Sequence, residues 1–301
     1  MSGFPGHDLS KKWLDRQENV EGDVLDNESL EKACRGVDTV VHAAGLLHVK
    51  KRQDFFRVNS DGTENMLNAA VKKGVRKFVY ISTNAAQGFC SEPGHRLLES
   101  QPCHPASDYG KSKYQAELAV RRFQAQNKLQ TVIIRPAMFY GPPVPERHLD
   151  IYRKVQSGFF PVFGDGRYFR SVSHIDNLIQ GIQLALHKEE ANGNTYYVAD
   201  EVIPTVNEII DAMAEALDCK VRKIYLPEFL ASFAGFLDEI ISVCGGYWML
   251  PHLAGESTKH IACSIEKAKK DLGYDPKITF KEGYRSTIQW CYENGLLKSK
   301  R

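Results

Sequence analysis

A tyrosine and a lysine four positions apart are the residues of this sequence best suited to chemistry. Tyr109 and Lys113 begin and end the run Tyr-Gly-Lys-Ser-Lys, and no other tyrosine of the chain has a lysine four residues later. On a helix, positions i and i+4 share one face. A phenol titrates at about pH 10, and a neighbouring ammonium lowers its pKa. The pair therefore predicts a proton-transferring phenol with Lys113 beneath it.

A hydroxyl group that could hold a substrate oxygen opposite the phenol comes after the strand before this helix. The apolar run at residues 78–82 ends in Ser82, and Thr83 comes next. Strand-end hydroxyls often only form turns. Their place one element upstream of Tyr109 favours a role in the chemistry.

The elements that must position these groups alternate between short strands and amphipathic helices. Apolar runs at 39–42, 78–82 and 131–134 predict strands, with helical spacing of apolar residues between them. Strands joined by helices form right-handed parallel units covered on both faces. The predicted fold is therefore α/β, a doubly wound parallel sheet. Longer loops after residue 142 predict a sheet domain at 1–142 and a smaller α/β lobe at 143–301, with segments returning to the sheet.

Small residues come after all three predicted strands. They occur in Ala43-Ala44-Gly45, Thr83-Asn84-Ala85 and Pro136-Ala137-Met138. Ligands of such sheets bind outside the carboxyl ends of the strands. Tight turns alone would also select small residues, but their recurrence at one sheet edge favours close approach of the backbone to a flat ligand.

Charge and cysteine content argue against several other functions. The net charge is +2, and no basic run is longer than Lys50-Lys51-Arg52, which argues against a nucleic-acid surface. The 7 cysteines are dispersed without a C-x-x-C pair, so free thiols in a reducing, cytoplasmic compartment are favoured over disulfides or a metal site. Residues 228–250 are apolar but interrupted, which fits a packed helix, a substrate lid or a membrane-surface contact.

Ordered motifs across residues 18–295 resemble the extended short-chain dehydrogenase/reductase family. In chain order the motifs are Glu21-Gly22-Asp23-Val24, Val41-His42-Ala43-Ala44-Gly45, Val58-Asn59-x-x-Gly62-Thr63-x-Asn65, Tyr80-Ile81-Ser82-Thr83, Tyr109-x-x-x-Lys113, Arg135-Pro136-x-x-x-Tyr140-Gly141-Pro142, Phe169-Arg170-x-Val172-x-His174-Ile175-Asp176-Asn177 and Lys267-Ala268-x-x-Asp271-Leu272-Gly273-Tyr274-x-Pro276. Within the family the chain looks most similar to the 3β-hydroxysteroid dehydrogenase branch, with NAD-dependent epimerases and dehydratases close behind. The resemblance implies a Rossmann-like core at 1–142 and a substrate lobe at 143–301.

The resemblance also assigns roles to matching positions. Tyr109 becomes the acid–base residue, Lys113 its electrostatic partner and a ribose donor, and Thr83 the substrate-orienting hydroxyl. Thr83 is preferred to Ser82 because a glycine stands five residues after it. The implied cofactor is NAD or NADP. Its expected contacts are Asp23, Val24, Ala43, Ala44, Gly45, Asn59, Tyr109, Lys113, Pro136 and Met138. Arg170 and His174 are candidate substrate contacts, although a helix-capping or core role fits His174 equally well.

The function that the resemblance implies is an NAD(P)-dependent oxidoreductase. It would interconvert a hydroxyl and a ketone on a hydrophobic, steroid-like or isoprenoid substrate. A nucleotide-sugar epimerase or dehydratase would use the same three residues, and a non-catalytic family member is the other alternative. A homodimer is a possible assembly.

The sequence departs from the family at its start. The family opens with a strand, a Gly-x-x-Gly-x-x-Gly turn and a helix whose N-terminus binds the pyrophosphate. Residues 6–14 instead resemble the segment that comes after the family's second strand. We therefore expect an N-terminally truncated chain or a functionally impaired family member. In either case the residue that selects NAD or NADP would be missing.

Overall fold

The computed structural model describes residues 18–47, 49, 51–92, 94–243 and 254–298 of the 301-residue chain. Its first elements are helix α1 (Asn27–Ala33), strand β1 (Thr39–His42), a three-part helix α2 (Gln53–Phe55, the π-helical Phe56–Asp61 and Gly62–Lys72), β2 (Lys77–Ile81), α3 (Asp108–Ala125), β3 (Gln130–Pro136) and β4 (Met138–Tyr140). The later elements are α4 (Glu146–Gln156), β5 (Phe159–Phe163), β6 (Val172–His174), α5 (Ile175–His187), β7 (Thr195–Val198), α6 (Val206–Ala216), β8 (Arg222–Leu226), α7 (Glu228–Val243), α8 (Glu266–Leu272) and α9 (Phe280–Glu293).

The central sheet is parallel, and its strands run in the order β1-β2-β3-β7. Nearly every residue of β2, β3 and β7 is buried, because helices cover both faces, as expected for parallel sheets. On one face, Phe78 and Tyr80 pack with Leu67 of α2 and Val120 of α3. The other face forms a second core with residues of α5 and α8. The structure confirms the predicted α/β fold.

Two smaller parallel pairs, β4 with β6 and β5 with β8, belong to the second half of the chain. Around them α4, α6 and α9 enclose a separate core that includes Tyr152, Tyr284 and Ile288. Meanwhile β7, α5 and α8 return to the central sheet. The predicted return of later segments is thus present, and the limits of the two domains remain a prediction.

One edge of the central sheet is formed by β1. Among the described residues, no other strand pairs with its outer side, and the Val41 side chain is 42% exposed. The interpretation of residues 6–14 lies outside the described residues, as do residues 244–250 of the apolar region. In the part of the chain that the structure describes, no helix is long and apolar enough to cross a membrane.

Candidate active site at the carboxyl ends of the strands

Tyr109 lies in the first turn of α3, where its phenol meets the end of β2. Ser107 caps this helix by accepting a hydrogen bond from the Gly110 amide at 3.2 Å. Gly110 permits a close approach, because a Cβ there would lie 2.4 Å from the Ala85 carbonyl oxygen. The hydroxyl of Thr83 lies near the phenol and lowers its pKa. The structure thus brings the predicted hydroxyl and the predicted acid–base residue together.

The protonation of Tyr109 is set mainly by burial. Desolvation raises the pKa of the phenol, while the Thr83 hydroxyl and the charge of Arg147 lower it, and the net shift is upward. The free protein therefore holds Tyr109 as a neutral phenol at neutral pH, ready to donate a proton. The sequence analysis missed Arg147, which lies in the first turn of α4.

Lys113 is held by β2 and not by the phenol. Its ammonium donates a hydrogen bond to the Ile81 carbonyl oxygen at 2.7 Å and lies 4.3 Å from the centroid of the Tyr80 ring. Burial lowers the pKa of Lys113 to about 7, and the Glu117 carboxylate opposes this shift. We expected Lys113 to lower the pKa of Tyr109, but in this structure the cation that does so is Arg147.

The stability of the protein should depend on pH through Lys113. Its folded pKa is about 7 against an ordinary value of 10.5. Between these values the unfolded chain binds a proton that the folded chain has lost, so the free energy of unfolding rises with pH. Urea titrations of the wild type and Lys113→Met at pH 7 and 9 test this. The wild type should gain roughly 2 kcal/mol relative to the variant between these pH values. A difference that stays constant or decreases would contradict the prediction.

Asn59 connects the loop after β1 to the helix of Tyr109. It lies fully buried in the π-helical stretch of α2. Its side chain accepts a hydrogen bond from the Leu46 amide at 2.6 Å and donates to the Leu46 carbonyl oxygen at 3.0 Å. It also donates to the Ser112 hydroxyl at 3.1 Å. Asn59 therefore fixes this loop beside the site, in line with the supporting role expected for it.

The predicted strand-end residues form an open edge above the site. Ala43, Ala44 and Gly45 are exposed, and a Cβ on Gly45 would lie 3.1 Å from Asn59 Oδ1 and 3.9 Å from Lys113 Nζ. Glycine at this position keeps the space over both side chains free. At the end of β3, two more predicted contacts differ in exposure, because Pro136 is buried and Met138 is 47% exposed.

Asp23 and Val24 lie in the turn before α1, and Val24 packs against α2. Val24 lies so close to Gly62 that a Cβ on this glycine would come within 2.6 Å of Val24 Cγ2. Asn65 holds the same turn by donating to the Val24 carbonyl oxygen at 3.0 Å. Asp23 is exposed and accepts a hydrogen bond from the Leu25 amide. Val24 is therefore in contact with the helix that also carries Asn59, whereas Asp23 contacts Ser29 of α1.

The candidate substrate residues Arg170 and His174 make structural contacts. His174 caps α5 by accepting a hydrogen bond from the Asp176 amide, and its own amide donates to Asp200 at 2.8 Å. Arg170 is half-buried and donates to the Glu256 carbonyl oxygen. Capping is thus the role that the structure supports for His174, and a substrate contact by either residue remains a prediction.

A parallel α/β sheet with a threonine, a tyrosine and a lysine at its carboxyl edge defines a dehydrogenase-type enzyme of the extended short-chain class. The sequence profile of the NAD dependent epimerase/dehydratase family matches residues 6–199. The chain belongs to this family.

Three relatives illustrate the similarity. An uncharacterized protein of Sinorhizobium fredii, y4nL, is 37% identical over 96% of this chain and 84% of its own length. The Escherichia coli O157:H7 N-acetyl-alpha-D-glucosaminyl-diphospho-ditrans,octacis-undecaprenol 4-epimerase is 29% identical over 79% of this chain and 75% of its own. The crystal structure of DesIV, a dTDP-glucose 4,6-dehydratase from Streptomyces venezuelae with NAD and TYD bound, superposes with a TM-score of 0.74 at 26% identity, covering 92% of this chain and 80% of the other.

The described residues fit the nicotinamide half of the family's cofactor. A flat ring needs open space beside the phenol, and the exposed backbone of Ala43–Gly45 over Lys113 leaves such space. Within the described ranges no strand precedes β1, so the pyrophosphate half has no helix N-terminus of the family type there. NAD-dependence follows from the family, whereas NADP remains untested.

Proposed function

We propose that the protein reversibly oxidises a secondary hydroxyl of a sugar carried on a diphosphate, with NAD, as nucleotide-sugar epimerases and dehydratases do. NAD, when bound, would supply the hydride acceptor, and its positive ring would favour the phenolate form of Tyr109. In that form Tyr109 receives the hydroxyl proton, and the phenol so formed later returns it. Thr83 holds the same substrate oxygen, and Lys113, held at the end of β2, would donate a hydrogen bond to the ribose of the cofactor.

The close approach of the segment after β2 to the first turn of α3, which brings the Thr83 hydroxyl near the Tyr109 phenol, is the observation that carries the proposal. It places a donor and a proton carrier next to each other at the edge where the exposed strand ends lie. The names of the Escherichia coli epimerase and of DesIV favour a sugar diphosphate over a sterol. This choice adopts the nucleotide-sugar alternative of the sequence analysis in place of the hydrophobic substrate.

A substrate panel tests the proposal. The protein with NAD would be incubated with UDP-glucose, UDP-N-acetylglucosamine, UDP-glucuronate, dTDP-glucose and a 3β-hydroxysteroid, and products would be followed by NMR. Calorimetry would measure NAD and NADP binding in parallel. Conversion of a sugar nucleotide is expected. Conversion of the steroid alone would favour the hydrophobic substrate, and neither cofactor binding nor turnover would favour the non-catalytic alternative.

An apolar surface on α7 supports a second candidate, a hydrophobic substrate or a membrane-surface contact. Phe229, Phe233 and Phe236 are 67%, 57% and 56% exposed. The small-residue side of the helix faces the protein instead, since a Cβ on Gly235 would lie 3.4 Å from the Gly255 Cα. Aromatic residues on one side of a helix are typical of helices that lie in a membrane interface.

Co-sedimentation with phosphatidylcholine and phosphatidylglycerol vesicles would measure this contact. We expect Phe229→Ser combined with Phe233→Ser to weaken vesicle binding about tenfold or more, because two exposed aromatic rings are lost. Leu118→Ser is the matched control, since this leucine is 48% exposed on α3. Equal binding by all three proteins, or none by the wild type, would contradict the membrane contact. The homodimer stays a prediction.

A further inference from the structure

A buried carboxylate joins the elements that carry the proposed catalytic residues. Glu117 lies one turn after Lys113 on α3 and is 0% exposed. Its Oε1 atom accepts hydrogen bonds from the Ser82 hydroxyl at 2.6 Å and from Arg135 Nε at 2.8 Å. Ser82 directly precedes Thr83, and Arg135 lies at the end of β3, just before Pro136. One carboxylate therefore links β2, α3 and β3.

The guanidinium of Arg135 extends this connection to the loop before α3. It is also 0% exposed and donates a second hydrogen bond to Glu117 Oε2 at 2.6 Å. It further contacts Gln87 Oε1 and, at 3.0 Å, Cys103 Sγ. The Gln87 side chain donates to the carbonyl oxygens of Gln101 and Pro102 at 3.0 and 3.1 Å. This loop leads to the helix cap before Tyr109.

The energetic cost of this pair indicates a role other than stability alone. Desolvating two charges costs several kcal/mol, and a buried ion pair is often no more stable than apolar residues of the same size. Arg135 binds Glu117 through two hydrogen bonds, and the pair also binds the Ser82 hydroxyl and the Gln87 amide. Such a network holds its neighbours in one arrangement. The residues it holds here are the immediate neighbours of Thr83 and the helix of Tyr109 and Lys113.

We infer that Glu117 is a positioning residue, which fixes the spacing between the Thr83 hydroxyl, the Tyr109 phenol and the Lys113 ammonium. Its carboxylate is also the anion that favours the charged form of Lys113. Arg135 and Ser82 act through Glu117 and contact no substrate. The inference rests on the proposed function, because it assumes that these three groups act together on one hydroxyl.

Three variants test the inference in the NAD-dependent sugar-nucleotide assay. Glu117→Gln keeps the shape of the side chain but removes its charge. We expect kcat to fall about 100-fold, since a displacement of about 1 Å costs that much, with KM and NAD binding within about threefold. The alkaline limb of the pH profile should move to lower pH, because Lys113 loses the anion that keeps it protonated.

Ser82→Ala keeps the ion pair and releases only the end of β2. We expect its kcat to fall about tenfold with an unmoved pH profile, and this variant carries the test if Glu117→Gln does not fold. Glu64→Gln is the control, because Glu64 pairs with Arg122 on the surface at 2.6 Å; its kinetics should match the wild type.

The outcomes separate the inference from the proposed function. A wild type that converts no sugar nucleotide overturns the proposed function and this inference with it. An active wild type whose folded Glu117→Gln and Ser82→Ala variants keep their kcat and pH profile overturns the inference alone. A rise in KM without a fall in kcat would also overturn it, because a substrate contact and not positioning would then be lost.

Discussion

Tyr109→Phe is expected to lower kcat by about 10³-fold while NAD affinity stays within about threefold, because only the proton-transferring oxygen is removed. Phenylalanine keeps the ring in place, so the Thr83 hydroxyl near it loses only the phenol oxygen. Turnover of the sugar nucleotide identified in the substrate panel, followed by NMR, gives kcat and KM. Calorimetry gives the affinity for NAD.

Tyr114→Phe is the matched control for this experiment. Tyr114 lies on the same helix, α3, but its side chain lines a different surface cleft with Arg121 and Lys267. Its removal should leave kcat unchanged, which separates a loss of chemistry from a general effect of changing a tyrosine in this helix. Full turnover by Tyr109→Phe would remove the proposed acid–base residue.

Arg135→Met is expected to destabilise the protein by about 3 kcal/mol, because it removes the buried cation of the pair and leaves Glu117 only the partly exposed Arg121, 2.8 Å away. Both side chains of the pair are 0% exposed. Urea denaturation followed by circular dichroism measures the free energy of unfolding. Burial raises the pKa of the Glu117 carboxyl, and Arg135 is the main group that lowers it again. The change in stability should therefore shrink at low pH, where Glu117 can take up a proton.

The surface pair of Arg122 and Glu64 is the comparison for this prediction. Their side chains are 50% and 46% exposed, so Arg122→Met should cost only about 0–1 kcal/mol. The double variant Arg135→Met with Glu117→Leu should recover part of the loss, because no fully buried charge remains and Arg121, the other partner of Glu117, is 38% exposed. An equal cost at both arginines would show that burial of the pair does not matter.

Local patterns in the sequence predicted three of the four strands of the central sheet and the helices between them. The run 39–42 predicted β1, which is observed as Thr39–His42, and the run 78–82 predicted β2, which is observed as Lys77–Ile81. Two helix starts also carry a capping box that is visible in the sequence, Thr205 with Glu208 and Thr279 with Glu282. These features depend on neighbouring residues alone, which is why the sequence was sufficient for them.

Contacts between distant segments could not be predicted in this way. The sequence was sufficient to place Thr83, Tyr109 and Lys113 at one sheet edge. Thr83 directly follows an apolar run that predicts a strand, and Tyr109 and Lys113 lie at the start of the helix that comes next. The effect of Arg147 on the phenol depends instead on the path of the chain from β4 to α4, which no local pattern specifies. The buried pair of Glu117 and Arg135 is only weakly indicated by the sequence. In each case the sequence shows just a charged residue next to apolar residues, Glu117 in α3 and Arg135 in β3.

Because Phe56–Asp61 is π-helical, the number of residues in this part of α2 affects the site in addition to their side chains. Such a stretch widens one turn of an otherwise regular helix. Successive helical residues are about 100° apart. Deleting one residue here would therefore rotate the preceding segment by that angle relative to Gly62–Lys72. Asn59 would then lose its contact with Leu46, or another side chain would take its position. A family member without the widened turn would present another side chain to this loop, and single-residue insertions and deletions in α2 would then reshape the open edge formed by Ala43, Ala44 and Gly45.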